Sequence, residues 1–135
     1  MLKISSFIIT AYFGLSIFFS FVTAPILFKT IEKQLAGMVV GKIFPIYFTV
    51  GVVVFAISGI FFLKQPGMKS YFILTLIILG ILLIQLLYVL PSSENLKVSN
   101  YDVFMKVHAA SMILNAIMIL LTGILSLLLF NFHLK

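Results

Sequence analysis

The sequence predicts an all-α integral membrane protein, a four-helix bundle with an interfacial amphipathic helix between its first and second spans. Three observations carry this. The 135 residues are 63% hydrophobic and 9% charged, with a mean hydropathy of +1.30, whereas a soluble domain carries about 25% charged residues. The charges are clustered. Residues 4–28, 43–63, 70–93 and 107–134 contain no Asp, Glu, Lys or Arg, and each run reaches the ~20 apolar residues that cross a bilayer core as a helix. Finally, the runs are continuously apolar, whereas a transmembrane barrel would alternate. One domain covering 1–135 is expected, with spans at about 4–27, 43–63, 70–90 and 107–130.

The first run follows a short basic start, Met1-Leu2-Lys3, and contains Val22-Thr23-Ala24, which resembles a signal-peptide cleavage site. Pro25 just after that site, and a run longer than a signal peptide needs, argue for a retained span. Pro25 lacks a backbone donor and is expected to kink or stop the helix. Ser6, Thr10, Ser16, Ser20 and Thr23 either turn this span toward the bundle or bond their own backbone carbonyls. In residues 28–42, Phe28, Ile31, Leu35 and Val39 fall near one helical face, away from Lys29, Glu32 and Lys33. This is the pattern of a helix lying in the interface. Gly37 and Gly41 form a GxxxG pair that permits close helix approach.

The second span is expected to carry Pro45 in its first turn, where proline is tolerated. Pro66-Gly67 predicts a tight turn between Lys64 and Lys69, and the third span should stop at Pro91. Ser99-Asn100-Tyr101-Asp102 has the form of a capping box, so the fourth helix is expected to begin near residue 100 and project beyond the bilayer. Asp102 in its first turn suits the helix dipole.

The net charge of +6 comes from lysines at span ends. With no basic stripe away from the membrane boundary, nucleic acid is not an expected partner, and membrane lipids with anionic headgroups are. Orientation is undecided, since Lys3, Lys64, Lys69 and Lys135 on one side face Lys29, Lys33, Lys42, Lys97 and Lys106 on the other. In a prokaryote the location would be the plasma (inner) membrane. The absence of cysteine excludes disulfides, thiolate catalysis and Cys-ligated metal centres.

Four spans place the first and third connectors on the same side, so Pro25, Pro45, Pro91, Glu94, Asp102 and His108 gather at one end of the bundle. His108 stands out, because ionisable residues within spans are costly and often functional. Met105, His108, Met112 and Asn115 share a helical face, with Ser111 beside them. An imidazole flanked by two thioethers suits a copper-like soft metal. The same cluster could hold a small solute or a proton, or be a packed structural histidine with gap-filling methionines. Glu94 could approach His108 and set its tautomer, or simply face headgroups. Gln85 and Asn115 are expected to link helices. Haem is disfavoured, since His108 and His133, 25 residues apart, lie about 37 Å apart along one helix. No catalytic signature is present, so no enzyme activity is expected. A chain this small is also short for a transporter, which leaves homo-oligomerisation or a larger membrane complex open.

Phe13-Gly14, Phe28, the run Gly41-Lys42-Ile43-Phe44-Pro45-Ile46-Tyr47-Phe48 and the pattern His108-x-x-Ser111-x-x-x-Asn115 together resemble the transmembrane protein 205-like family, also described as domain of unknown function 4149. The resemblance implies a four-pass membrane protein without an established activity. Vertebrate members are associated with platinum-drug tolerance, which points to soft-metal handling or trafficking. It carries over Gly14, Phe44, Pro45, Tyr47, His108, Ser111 and Asn115. Where the family often has Trp-Gly-x-Gln, this chain has Phe13-Gly14-Leu15-Ser16, so the indole and amide donors are absent. The connector between spans 3 and 4 is also short.

The expected ligand-binding residues are His108, Ser111, Asn115, Tyr47 and Glu94, with His108, Met105 and Met112 as the metal set. Gly14, Pro25, Gly37, Gly41, Phe44, Pro45 and Pro91 are expected to shape the bundle. The leading function is binding or passing a small solute or soft metal around His108. Its rivals are a non-catalytic accessory or assembly subunit and, third, a redox enzyme holding haem or quinone.

Overall fold

The computed structural model describes residues 2–133, without the side chains of Val98, Tyr101 and His133. Helix α1 (Leu2–Ile17) passes through a π-helical segment, Phe18–Thr23, into α2 (Ala24–Thr30). Helix α3 (Lys33–Lys64) follows. Helix α4 (Lys69–Ile84) passes through a second π segment, Gln85–Val89, into α5 (Leu90–Ser99), and α6 (Tyr101–His133) completes the chain. There is no strand among the described residues. Four stretches are long and apolar enough to cross a membrane: Leu2–Thr30, Lys33–Lys64, Lys69–Lys97 and Asp102–Phe132, spans 1 to 4. The molecule is an integral membrane protein of helical type. The 32 residues of span 2 measure about 48 Å, more than the ~30 Å hydrocarbon core, so the helices project beyond it.

Short connectors make successive spans antiparallel neighbours, and span 4 closes the ring against span 1. Between α3 and α4, the Met68 N–H bonds to the Gln65 carbonyl at 3.2 Å and Gly67 has φ +80°. Proline followed by left-handed glycine is the signature of a type II turn, as Pro66-Gly67 predicts. Asn100, in extended conformation, caps α6: its Oδ1 accepts from the Val103 N–H at 3.2 Å. The cap is therefore Asn100 rather than Ser99, whose hydroxyl donates back to the Asn95 carbonyl at 3.0 Å.

Three sequence expectations are corrected. Pro91 does not stop its helix, and of the two outcomes expected at Pro25, a kink or a stop, the stop does not occur. Each follows a π segment, in which the Ala24 N–H bonds to the Phe19 carbonyl and the Leu90 N–H to the Gln85 carbonyl. The wider turn just ahead of each proline accommodates the ladder bond the ring removes. Second, Pro45 lies in the interior of α3, not in a first turn. It is exposed, and Thr49 donates to its carbonyl at 2.7 Å. Third, the amphipathic stretch 28–42 is helical but not free-standing. Phe28–Thr30 finishes α2, the chain breaks at Ile31 and Glu32, and Lys33 onward belongs to the same helix as span 2.

The core is aromatic. Tyr12, Phe19, Tyr47, Phe48, Phe55 and Phe62 are buried. Tyr12 stacks on Tyr47 with centroids 5.6 Å apart, and Phe19 meets Phe44 edge to face at 5.5 Å. Phe44 and Tyr47 thus supply span 2's aromatic face toward span 1, while Ile46, Phe7, Leu63 and Leu120 point outward as lipid-facing residues do. In lipid, association rests on close packing and interhelical hydrogen bonds. Close packing falls to Gly51 and Gly123. A Cβ at Gly51 would stand 2.7 Å from Tyr12 Cζ and closer still to its hydroxyl, and one at Gly123 would stand 2.9 Å from the Phe13 ring. The Gly37–Gly41 pair makes no such contact. Gly37 and Gly14 have nothing within 4 Å, and Gly41 meets Glu94 and Lys97 only at ordinary distance.

Candidate functional site

Span 4 presents Ser111 and Asn115 one helical turn apart, and each is tied to a π segment. From the first segment, Ser20 accepts from Asn115 Nδ2 at 3.0 Å. From the second, Gln85 donates through Nε2 to the Ser111 carbonyl at 2.8 Å and accepts the Ser111 hydroxyl on Oε1 at 2.9 Å. The Tyr47 hydroxyl donates to Asn115 Oδ1 at 3.2 Å, so Asn115 joins spans 1, 2 and 4. The Tyr12 hydroxyl in turn donates to the Tyr47 carbonyl at 3.4 Å. Gln85 is fully buried, and a buried amide keeps its place only with such partners. Both amides therefore link helices as the sequence predicts. The hydroxyls of span 1 divide between the two expected roles: Thr10 bonds Ser126 on span 4 at 2.6 Å, and Ser16 donates to its own Tyr12 carbonyl at 2.7 Å.

His108 lies one turn before Ser111, half-buried. Its ring stacks on Phe104 with centroids 5.8 Å apart, and Lys97 Nζ sits 5.8 Å from the Phe104 centroid. Among the described residues, none hydrogen-bonds either ring nitrogen. Two cavities meet at this ring. The smaller, about 320 Å³, lies between spans 1 and 4 against the start of span 2, with Phe19, Ser20, Ala24, Phe28, Phe44, His108, Met112, Asn115 and Ile119 among its walls. The larger, about 750 Å³, opens at the connector end among all four spans and includes Lys33, Gly37, Gly41, Glu94, Lys97, Met105, His108 and Ser111. Both fall within the range of small-molecule sites.

The structure thus gathers His108, Ser111, Asn115 and Glu94 around adjoining cavities. Tyr47 lines neither and reaches the site through Asn115. Glu94 does not serve His108. Its Oε1 pairs with Lys97 Nζ at 2.6 Å, three residues along the same helix. Met105 lines the larger cavity and Met112 the smaller, so the two thioethers do not share a chamber. Among the described residues, no group of three or more His, Cys, Asp or Glu side chains is placed to hold a metal ion. The His133 side chain and Lys135 lie outside the described residues. Sequence reasoning missed Phe19, Phe28, Val40, Lys33 and Lys97 as walls. Of these, only Phe28 belonged to the apolar face read in 28–42; Ile31, Leu35 and Val39 of that face are exposed and line neither cavity, so the pattern gave no signal for Val40 or Lys33.

The family described as "Domain of unknown function (DUF4149)" matches residues 7–102. The match ends before His108, so the span 4 residues of the site lie beyond it. An "Uncharacterized protein" from Aquifex aeolicus (strain VF5) is 41% identical over 120 residues, covering 89% of each chain. No solved structure matches. With 96 of its 135 residues matched, this chain belongs to the DUF4149 family.

Proposed function

We propose that the bundle binds a small amphiphilic solute at its connector end, with the apolar part in the smaller cavity and the polar part at His108. One observation carries this: a half-buried imidazole, unpaired among the described residues, forms a shared wall of two cavities. A neutral imidazole offers one donor and one acceptor. Asn115 has further hydrogen-bonding capacity beyond Tyr47 and Ser20, and phenyl rings line the apolar side. Ser111 and Asn115 hold the wall in place through their bonds to Gln85 and Ser20, and Tyr47 positions Asn115.

The test uses a small aryl diazirine bearing a carboxylate, photolysed with the protein in lipid nanodiscs and mapped by peptide mass spectrometry. Adducts are expected on residues 19–28 and 108–119 and should fall sharply in Met112→Trp, which fills the cleft from an exposed position. Adducts spread evenly over lipid-facing residues such as Phe7 and Leu120, and indifferent to Met112→Trp, would overturn the reading.

The soft-metal reading, together with kinship to the transmembrane protein 205-like family that suggests it, is second. It is favoured by the two methionines flanking His108 and weakened by their separation into different cavities. Copper(I) loading beside His108→Ala tests it. The accessory-subunit reading draws on the helix ends that project beyond the bilayer, and co-purification of a second subunit or a stable homo-oligomer would support it. In a bacterium the inner membrane is the expected location, since outer-membrane spans are barrels.

A further inference from the structure

We infer that the natural occupant of this cleft is a membrane lipid with an anionic headgroup, entering sideways between spans 1 and 4. This rests on the solute-binding reading and names its ligand class. At this end of the bundle the charge-free runs stop at residues 28 and 93 and resume at 43 and 107, so the edge of the apolar layer passes at the level of His108. The two cavities lie on opposite sides of that edge. The smaller, on the apolar side, runs along span 4 from Met112 to Ile119, and its wall residues Phe21 and Met112 are 65% and 57% exposed toward the surrounding lipid. The larger, on the polar side, carries Lys33, Lys97 and Glu94. The cavities share Phe28, Val40, Phe44 and His108 as walls. A chamber with charged walls above the layer, joined to an aromatic cleft within it, has the form of one molecule's head and chain.

Charge favours an anion. Lys97 lies over the Phe104 ring and pairs with Glu94 three residues away on its own helix, and an exposed pair of this kind is worth little, so a phosphate can compete for it. Lys33 has no ion-pair partner among the described residues. A phosphate group suits these two ammonium groups, with the His108 ring as a further donor. A lysine near a membrane surface confers about a fivefold preference for an anionic over a neutral lipid.

The experiment reconstitutes the protein in phosphatidylcholine vesicles with a trace of phosphatidylglycerol or phosphatidylcholine carrying a diazirine in the acyl chain. Labelling of residues 19–28 and 112–119 is normalised to lipid-facing peptides elsewhere. The anionic lipid is expected to label the cleft several-fold more than the zwitterionic one. Lys33→Gln with Lys97→Gln, both at exposed positions, should abolish that preference, bringing labelling by the anionic lipid down to the zwitterionic level. Equal labelling by the two lipids, or a preference that survives the double variant, would overturn the inference. If the small diazirine still marks the cleft in that case, only the lipid assignment falls. If it fails too, the solute-binding reading falls with it.

Discussion

Asn115 on span 4 donates to the Ser20 hydroxyl at 3.0 Å, inside the π-helical turn that precedes Pro25. Four residues earlier, Ser111 is held in the same manner by Gln85, the first residue of the π-helical turn that precedes Pro91. Spans 1 and 3 therefore hold one face of span 4 through their π-helical turns, and His108 follows on that face at its polar end. A rigid wall results from bonds made deep in the bundle.

Asn115→Leu removes the bonds to Tyr47 and Ser20 together. Interhelical hydrogen bonds in membrane proteins average about 0.6 kcal/mol and reach about 1.7, so a loss of about 1–3 kcal/mol is expected. Ser111→Ala should cost less, because Gln85 keeps its bond to the Ser111 backbone carbonyl. Reversible unfolding in mixed micelles checks the order.

Gly51→Ala should destabilise the fold by about 1–3 kcal/mol, the usual cost of overpacking, because the new methyl group would drive into the Tyr12 ring. Combining it with Tyr12→Leu should recover part of that loss, a non-additive result in a double-mutant cycle. Gly37→Ala meets nothing within 4 Å and should leave stability unchanged.

His108→Ala separates structure from binding. The ring has no hydrogen bond to lose among the described residues, only its stacking on Phe104, worth about 0.5–1.5 kcal/mol. Stability should therefore fall by no more than that, while labelling of span 4 by the aryl diazirine should largely disappear. A large stability loss with unchanged labelling would mark His108 as structural.

Asn100→Ala removes the cap of α6 and should cost about 1 kcal/mol. The effect should be local: hydrogen exchange should speed up at Val103 and its neighbours, with no change around Ser20 or Gln85.

Much of this architecture can be read from local chemistry. Four charge-free runs announce four helices, Pro66-Gly67 announces its turn, and Gln85 and Asn115 are amides too costly to leave unpaired in an apolar layer. Features decided by a distant partner could not be read this way. Gly51 and Gly37 look alike in sequence, and only the Tyr12 ring lying opposite makes Gly51 matter. The π segments, Phe18–Thr23 and Gln85–Val89, use residue types that form α-helix elsewhere in the same chain. Pro45 reads as a helix start until the preceding residues prove continuous with it. Glu94 had two cations or potential cations within reach, and the one on its own helix, Lys97, won because it needs no tertiary approach.

The central claim is that the His108 ring faces a ligand. The chain has two histidines, His108 and His133, so selectively labelled histidine gives two ring signals, assigned with His108→Ala. Titrating the protein in phosphatidylcholine nanodiscs with decanoate, a small anionic amphiphile, is the most direct measurement. A saturable shift of the His108 signals with His133 unmoved is expected. Signals that stay still, or that drift together in proportion to added decanoate, would contradict it.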